Sequence, residues 1–480
     1  MTELRSQATK GVFWSFVERF SVQGVQFLIG IIMARLLSPH DYGLIGMLVI
    51  FMSLSQVFID GGFSTALIQK KDRNNADYTT VFYINLVISL LLYGVIFLCA
   101  PLIAKFFSQP ILTDVARVYC FNLVINSLAA VNRTKLLIAV DFKTQSKISL
   151  ISAALSGVVG IYFAYHGYAV WALVVQGIVS AVLNVGLSFF YVRWLPALLF
   201  SVESFHSLFK FGSKVLLATI ISSVYTNLYN LAIGKKFNSA DLGFYTRADQ
   251  FTSLISKNIT DIINRVSLPV LTNIQDDDKR LVNAYRKYIQ AATFLVFPLT
   301  MGLCGISKPL ILLLLTDKWA DTIILMQILS FNYLLGPITT VNLNLLYVKG
   351  CSDLILRLEI FKKSIAFTIL IVSLFFSLEI VCLGLVVYSV IATYLNCHYT
   401  DKLLNYGFVT QMKEILPNIL LSMVVLAESF LLSEIISDSL LSIVVSLFVC
   451  SLSYISMAYL FKVEAFREIM EIVPFKLFKD

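Results

Sequence analysis

Ser15, Arg19, Gln23 and Gln26 lie inside a largely apolar run from Gly11 to Arg35, spaced so that a helix sets all four on one face. A helix of that length crosses the bilayer hydrocarbon, where a central arginine costs about 2.5 to 3.5 kcal/mol to insert. Such a residue calls for a partner or a hydrated cavity. The stripe recurs 200 residues on: Arg19, Gln23, Gln26 and Gly30 register with Thr219, Ser223, Thr226 and Asn230. A second stripe, Ser53, Gln56, Asp60 and Ser64, registers with Ser253, Ser256, Thr260 and Asn264. Interhelical glue accounts for one such face. Recurrence on four corresponding helices suits a polar cavity lined by the first, second, seventh and eighth spans.

The chemistry available there is polar and sparsely charged. Arg19, Arg247 and Lys257 are the bases; Glu18, Asp60, Asp249 and Asp261 are the acids. Fixed cations suit a multiply charged anion, and the amides and hydroxyls suit a hydroxyl-rich cargo. The candidate binding set is therefore Arg19, Gln23, Gln26, Gln56, Asp60, Ser223, Thr226, Asn230, Arg247, Asp249 and Lys257. Two alternatives stand beside it. Lys257, Asp261 and Arg265, at i, i+4 and i+8, can neutralise one another. Asp60, ahead of Gly61-Gly62, can cap or pair at a kink.

The elements that must carry these residues follow from composition. With 58% apolar residues, 14% charged residues and a mean hydropathy of +0.82, the 480-residue chain is a polytopic membrane protein. Hydropathy and breakers predict fourteen helical spans, the first at 11–36 and the last at 439–461, in an all-α fold. The first run is too long and too polar for a signal sequence. Counting Lys and Arg in alternate connections puts both termini in the cytoplasm: of the connecting bases only Arg35, Lys105, Lys235, Lys236 and Lys318 fall outside. The net charge of +8 is then topology and attraction to anionic lipid, and requires no nucleic acid. Seven scattered cysteines and four isolated histidines predict no metal site, and no phosphate-binding G-x-x-x-x-G-K-[ST] loop occurs. No catalytic role and no cofactor are expected. The outer connections are too short to house a catalytic domain.

Self-similarity sets the domain organisation. Besides the polar stripes, the turn Asp41-Tyr42-Gly43 registers with Asp241-Leu242-Gly243, and Pro101-Leu102-Ile103 with Pro309-Leu310-Ile311. Copies six spans apart share orientation, so they are related by a pseudo-two-fold along the membrane normal. The expected domains are an N-terminal six-helix lobe at 1–199, an interfacial linker helix at 200–211 and a C-terminal six-helix lobe at 212–402. Two further transmembrane helices and a cytoplasmic tail occupy 403–480.

Further residues carry a resemblance. Asp241-Leu242-Gly243-Phe244-Tyr245-Thr246-Arg247-Ala248, Leu268-Pro269, Phe297-Pro298 and Lys308-Pro309-Leu310 through Asp317-Lys318-Trp319 occur in an order and spacing similar to the polysaccharide transporter family. So do Leu37-Ser38-Pro39-His40-Asp41-Tyr42-Gly43 and Asp60-Gly61-Gly62-Phe63. The family belongs to the multidrug/oligosaccharidyl-lipid/polysaccharide exporter superfamily, and the likeness is to its Wzx-type O-antigen and exopolysaccharide flippases. The resemblance implies a bacterial inner-membrane protein that moves an undecaprenyl-diphosphate-linked oligosaccharide to the outer leaflet by alternating access. It implies membrane lipid, a polysaccharide polymerase and chain-length machinery as partners. It also carries Arg247 over as the family's recurring base. The rivals are a drug or cation antiporter of the same superfamily and a membrane-embedded polysaccharide polymerase or ligase. Where relatives have a charged pair before Asp141-Phe142, this chain has Ile138-Ala139.

Overall fold

The computed structural model describes residues 21–70 and 72–467. Among them the secondary structure is helical throughout. Among the described residues eleven helices are long and apolar enough to cross a membrane. The composition read from the sequence thus becomes a stack of long apolar helices, the one open structure that satisfies every backbone group inside lipid.

Contacts divide the chain into two compact units, Met1–Gly243 and Phe244–Asp480. In the first, α1 (Ser21–Leu36) precedes α2 (Pro39–Asp60) and the short α3 (Phe63–Gln69). There follow α4 (Asn75–Phe107), α5 (Leu112–Tyr119), α6 (Asn122–Ile138), α7 (Phe142–Tyr165), α8 (Val170–Val192) and α9 (Val202–Lys236). Helix α10 (Ser239–Asn273) starts in the first unit and continues into the second.

The helix starts are written in the sequence. Ser38 caps α2 in a capping box with Asp41, and Pro39 occupies the first helical position, where its missing N–H costs nothing. Asn74 and Asp77 repeat the box at α4, and Asp77 also takes an ion pair from Lys70 at 2.7 Å. Between α2 and α3 the chain breaks at Gly61 and Gly62, with φ of +49° and +70°. That left-handed conformation is open to glycine at little cost.

Residues 202–211, expected as a separate interfacial helix, are the opening turns of α9 and run on without a break. Leu198, Leu199 and Phe200 ahead of them, and Val202 at their start, are exposed. Helix α9 packs antiparallel along α2, and glycine permits the approach at both ends. A Cβ on Gly62 would lie 2.3 Å from the carbonyl oxygen of Gly212; one on Gly43 would lie 1.6 Å from that of Ser239.

The second unit contains α11 (Asp278–Gly305), α12 (Ser307–Leu315), a 3-10 turn at Asp317–Trp319, α13 (Asp321–Leu334) and α14 (Gly336–Val348). It closes with α15 (Ser352–Ser373), α16 (Leu378–Leu404), α17 (Phe408–Ile435) and α18 (Ser439–Leu460). Its core gathers Tyr285, Ile289 and Phe297 of α11 with Val341 and Leu345 of α14, Cys397 of α16 and Ile415 of α17. Buried polar pairs fix the register where apolar packing alone would let helices slide. Asn342 and Gln411 exchange two amide hydrogen bonds of 2.9 and 3.0 Å, and Thr400 donates to Asn342 at 2.7 Å. The last two spans belong to this unit: α17 lies along α11, Asn418 donates to Thr293 at 3.0 Å, and the Tyr454 hydroxyl of α18 donates to the Phe294 carbonyl at 2.9 Å.

Candidate functional site

At the D-x-G turns the offset of 200 residues coincides with helix boundaries. Helix α1 ends at Leu36 and α9 at Lys236; α2 begins at Pro39 and α10 at Ser239. At both joins a side chain caps the next helix: Ser38 Oγ accepts from the Asp41 N–H at 3.3 Å, and Asn238 Oδ1 accepts from the Asp241 N–H at 2.8 Å. The two turns also meet reciprocally. A Cβ on Gly43 would strike Ser239, and a Cβ on Gly243 would lie 2.0 Å from the carbonyl oxygen of Pro39. Each glycine is pressed on the residue that corresponds to the other's partner.

In the first unit the polar stripe splits between open and engaged residues. Arg19, Ser15 and Glu18 lie outside the described residues. Gln26 and Thr226 are exposed, while Gln23, Ser223 and Asn230 are half-buried. Thr226 turns its hydroxyl back to the Ser222 carbonyl at 2.9 Å, which satisfies it within its own helix. Gln56 donates to Asp60 Oδ1 at 3.3 Å, one turn on. A further residue completes this group: the Arg133 guanidinium of α6 acts electrostatically on the Asp60 carboxylate and donates to Asn126 Oδ1 at 3.0 Å. Arg133 is not in the candidate set drawn from the sequence. Its spacing of seven from Asn126, two turns on one face, was the available signal.

In the second unit Arg247 is 9% exposed, with its guanidinium 2.5 Å from Gln250 Oε1 and 6.0 Å from the centre of the Trp319 ring. Asp249 accepts from the Tyr333 hydroxyl at 2.5 Å. The exposed Lys257 sets its ammonium 5.4 Å from the centre of that same ring, and Ser256 donates to the Tyr333 carbonyl at 2.8 Å. Tyr333 thus gathers Asp249 and, two turns further along α10, the neighbouring Ser256 and Lys257. Lys257 meets an aromatic face of α13 in a cation–π contact. Nothing in the spacing along α10 marked Tyr333, which arrives from 84 positions away.

One apolar cavity of about 390 Å³ lies among α11, α17 and α18, bounded by Phe294, Pro298, Gly302, Val425, Cys450 and Tyr454. Its walls suit hydrocarbon and offer little to a sugar. No group of His, Cys, Asp or Glu able to hold a metal ion occurs among the described residues.

Long apolar helices bearing charged, half-open faces define a polytopic membrane transporter. The chain belongs to the polysaccharide biosynthesis protein family, whose match spans residues 32–324. It is 22% identical to the teichuronic acid biosynthesis protein TuaB of Bacillus subtilis, over 74% of each chain. It is 24% identical to the lipopolysaccharide biosynthesis protein WzxC of Escherichia coli, over 75% of this chain and 73% of that one. Its fold is that of the lipid II flippase MurJ in an inward closed conformation, with a TM-score of 0.75 over 96% of this chain and all of that one, at 13% identity. An inward-facing multidrug resistance transporter of the MATE family aligns at a TM-score of 0.62 over 79% of this chain and 94% of that one, at 15% identity.

Proposed function

We propose that this protein flips undecaprenyl-diphosphate-linked oligosaccharide units from the cytoplasmic to the outer leaflet of the bacterial inner membrane, for surface polysaccharide synthesis. Two six-helix lobes, 1–199 and 212–402, alternate access, with the last two helices packed on the second. The span count is fourteen, with α1, α10 and α15 joining the eleven. Both termini are cytoplasmic. Arg19 and Arg247 meet the diphosphate, the Gln, Asn, Ser and Thr faces meet the glycan, and the polyprenyl tail stays in lipid. The polymerase and chain-length machinery take the unit on the outer side.

The observation that supports this reading best is the pairing of a flippase fold over 96% of the chain with charged side chains on its membrane helices. A membrane span that retains Arg247, Asp249 and Lys257 against their insertion cost has a use for them. Depletion of the protein is expected to accumulate complete lipid-linked units on the cytoplasmic side and abolish surface polymer, and Arg19→Ala and Arg247→Ala at normal abundance should do the same. An unchanged lipid pool and unchanged polymer, in a host with no redundant exporter, would favour a drug or cation antiporter. Normal export from both arginine variants would remove their proposed roles.

A further inference from the structure

On the reading just given, we infer that Arg133 is a receptor for an oxyanion of the cargo, and that Asp60 is the counter-charge which the cargo displaces. The group sits wholly in the first unit. Val131, two residues before Arg133, packs in one apolar cluster with Phe63 and Leu67, which follow Asp60 across the Gly61-Gly62 break. That packing brings the end of α2 beside the last turns of α6.

The two charges attract without touching. Asp60 is held by Gln56, and Arg133 by Asn126, whose own amide donates to the Asn122 carbonyl at 2.9 Å. Arg133 thus keeps one hydrogen-bond partner, although a guanidinium carries five N–H donors in a fork matched to phosphate and carboxylate. Its remaining donors have no protein acceptor among the described residues, and the side chain keeps part of its surface open. A purely structural pair would close into a bidentate contact, since an arginine within a membrane helix gains most from direct hydrogen bonds. Here the arginine is aimed by an amide, balanced at a distance by a carboxylate, and left with its fork open. That arrangement keeps the guanidinium ready when empty and lets an incoming oxyanion replace Asp60 as its partner. The oxyanion belongs to the carrier diphosphate or to an acidic sugar.

The test uses full-length protein in lipid nanodiscs, with affinities measured for undecaprenyl diphosphate without sugar and for a lipid-linked oligosaccharide bearing a uronic acid. Export is followed in cells as surface polymer. Arg133→Gln is expected to bind at least tenfold more weakly. Loss on the bare lipid assigns the diphosphate; loss confined to the uronic-acid probe assigns the sugar carboxylate. Asp60→Asn is expected to bind more tightly and to export less, because the competitor for Arg133 is gone. The double variant Asp60→Asn/Arg133→Gln keeps both shapes without either charge, so a merely structural pair would regain binding and export in it, overturning the inference. Wild-type affinity and export in Arg133→Gln would overturn it as well. If the wild-type protein binds neither probe, the flippase reading itself fails.

Discussion

At the scale of residues, the charged groups of the second unit are paired with partners chosen for geometry. The Tyr333 hydroxyl is a neutral donor to the Asp249 carboxylate, a hydrogen bond worth about 1.5 to 3 kcal/mol when one member is charged. Removing only the donor leaves Asp249 short of a partner where water is scarce. Tyr333→Phe is therefore expected to lower stability in detergent by about that range. Tyr333→Phe combined with Asp249→Asn should recover part of the loss, because the amide carries no charge to strand. Chemical unfolding of the wild type, the two single variants and the double variant checks this. Additive losses would mean that the two side chains are not coupled. Arg133 teaches the complementary lesson, since it is absent from the candidate set drawn from the sequence and only packing sets it beside Asp60.

At the scale of elements, backbone closeness between α2 and the α9–α10 turn carries as much information as side-chain chemistry. A Cβ cannot stand 1.6 Å from a carbonyl oxygen, and the obstacle at Gly43 is backbone that no rotamer change can remove. Gly43→Ala is expected to force α2 away from Ser239 and to lower the thermal unfolding midpoint. Gly94→Ala, with nothing within 4 Å of the added carbon, should hold or slightly raise it through helix propensity. Equal midpoints for the two variants would show that α2 and the turn separate freely. The reciprocal partners of Gly43 and Gly243 are the physical content of the D-x-G repeat. A turn pressed on its own copy must be small at the same place twice.

At the scale of the whole molecule, topology depends on the three helices that fall short of the length and hydropathy of the eleven. Helix α1 is apolar and shorter within the described residues. Helix α10 carries Asp241, Arg247, Asp249, Lys257, Asp261 and Arg265, and α15 carries Asp353, Arg357, Glu359, Lys362 and Lys363. The 4%-exposed Lys362 is matched by Glu359 at 2.5 Å and by Asn396 of α16 at 3.2 Å, so α15 can tolerate its charges by facing protein. If all three cross, the count is even and the two ends share a side. Fluorescent-protein fusions at both ends should then fluoresce, and alkaline phosphatase fusions at both ends should be inactive. Opposite behaviour of the two ends would require one of the three to stay out of the bilayer.

The sequence by itself determined the membrane class and the polar stripes. Each depends on residues close along the chain: an apolar run, a spacing of three or four. Family membership was legible too, because motif order survives where identity has fallen to 22–24%. Only the tertiary structure decided which charges have partners. Tyr333 reaches Asp249, Arg133 faces Asp60, and Lys257 turns to an aromatic ring, all through helices brought together by apolar packing far apart in sequence. Periodicity tells which face a side chain lies on, but the neighbour across that face is set by the packing of whole helices.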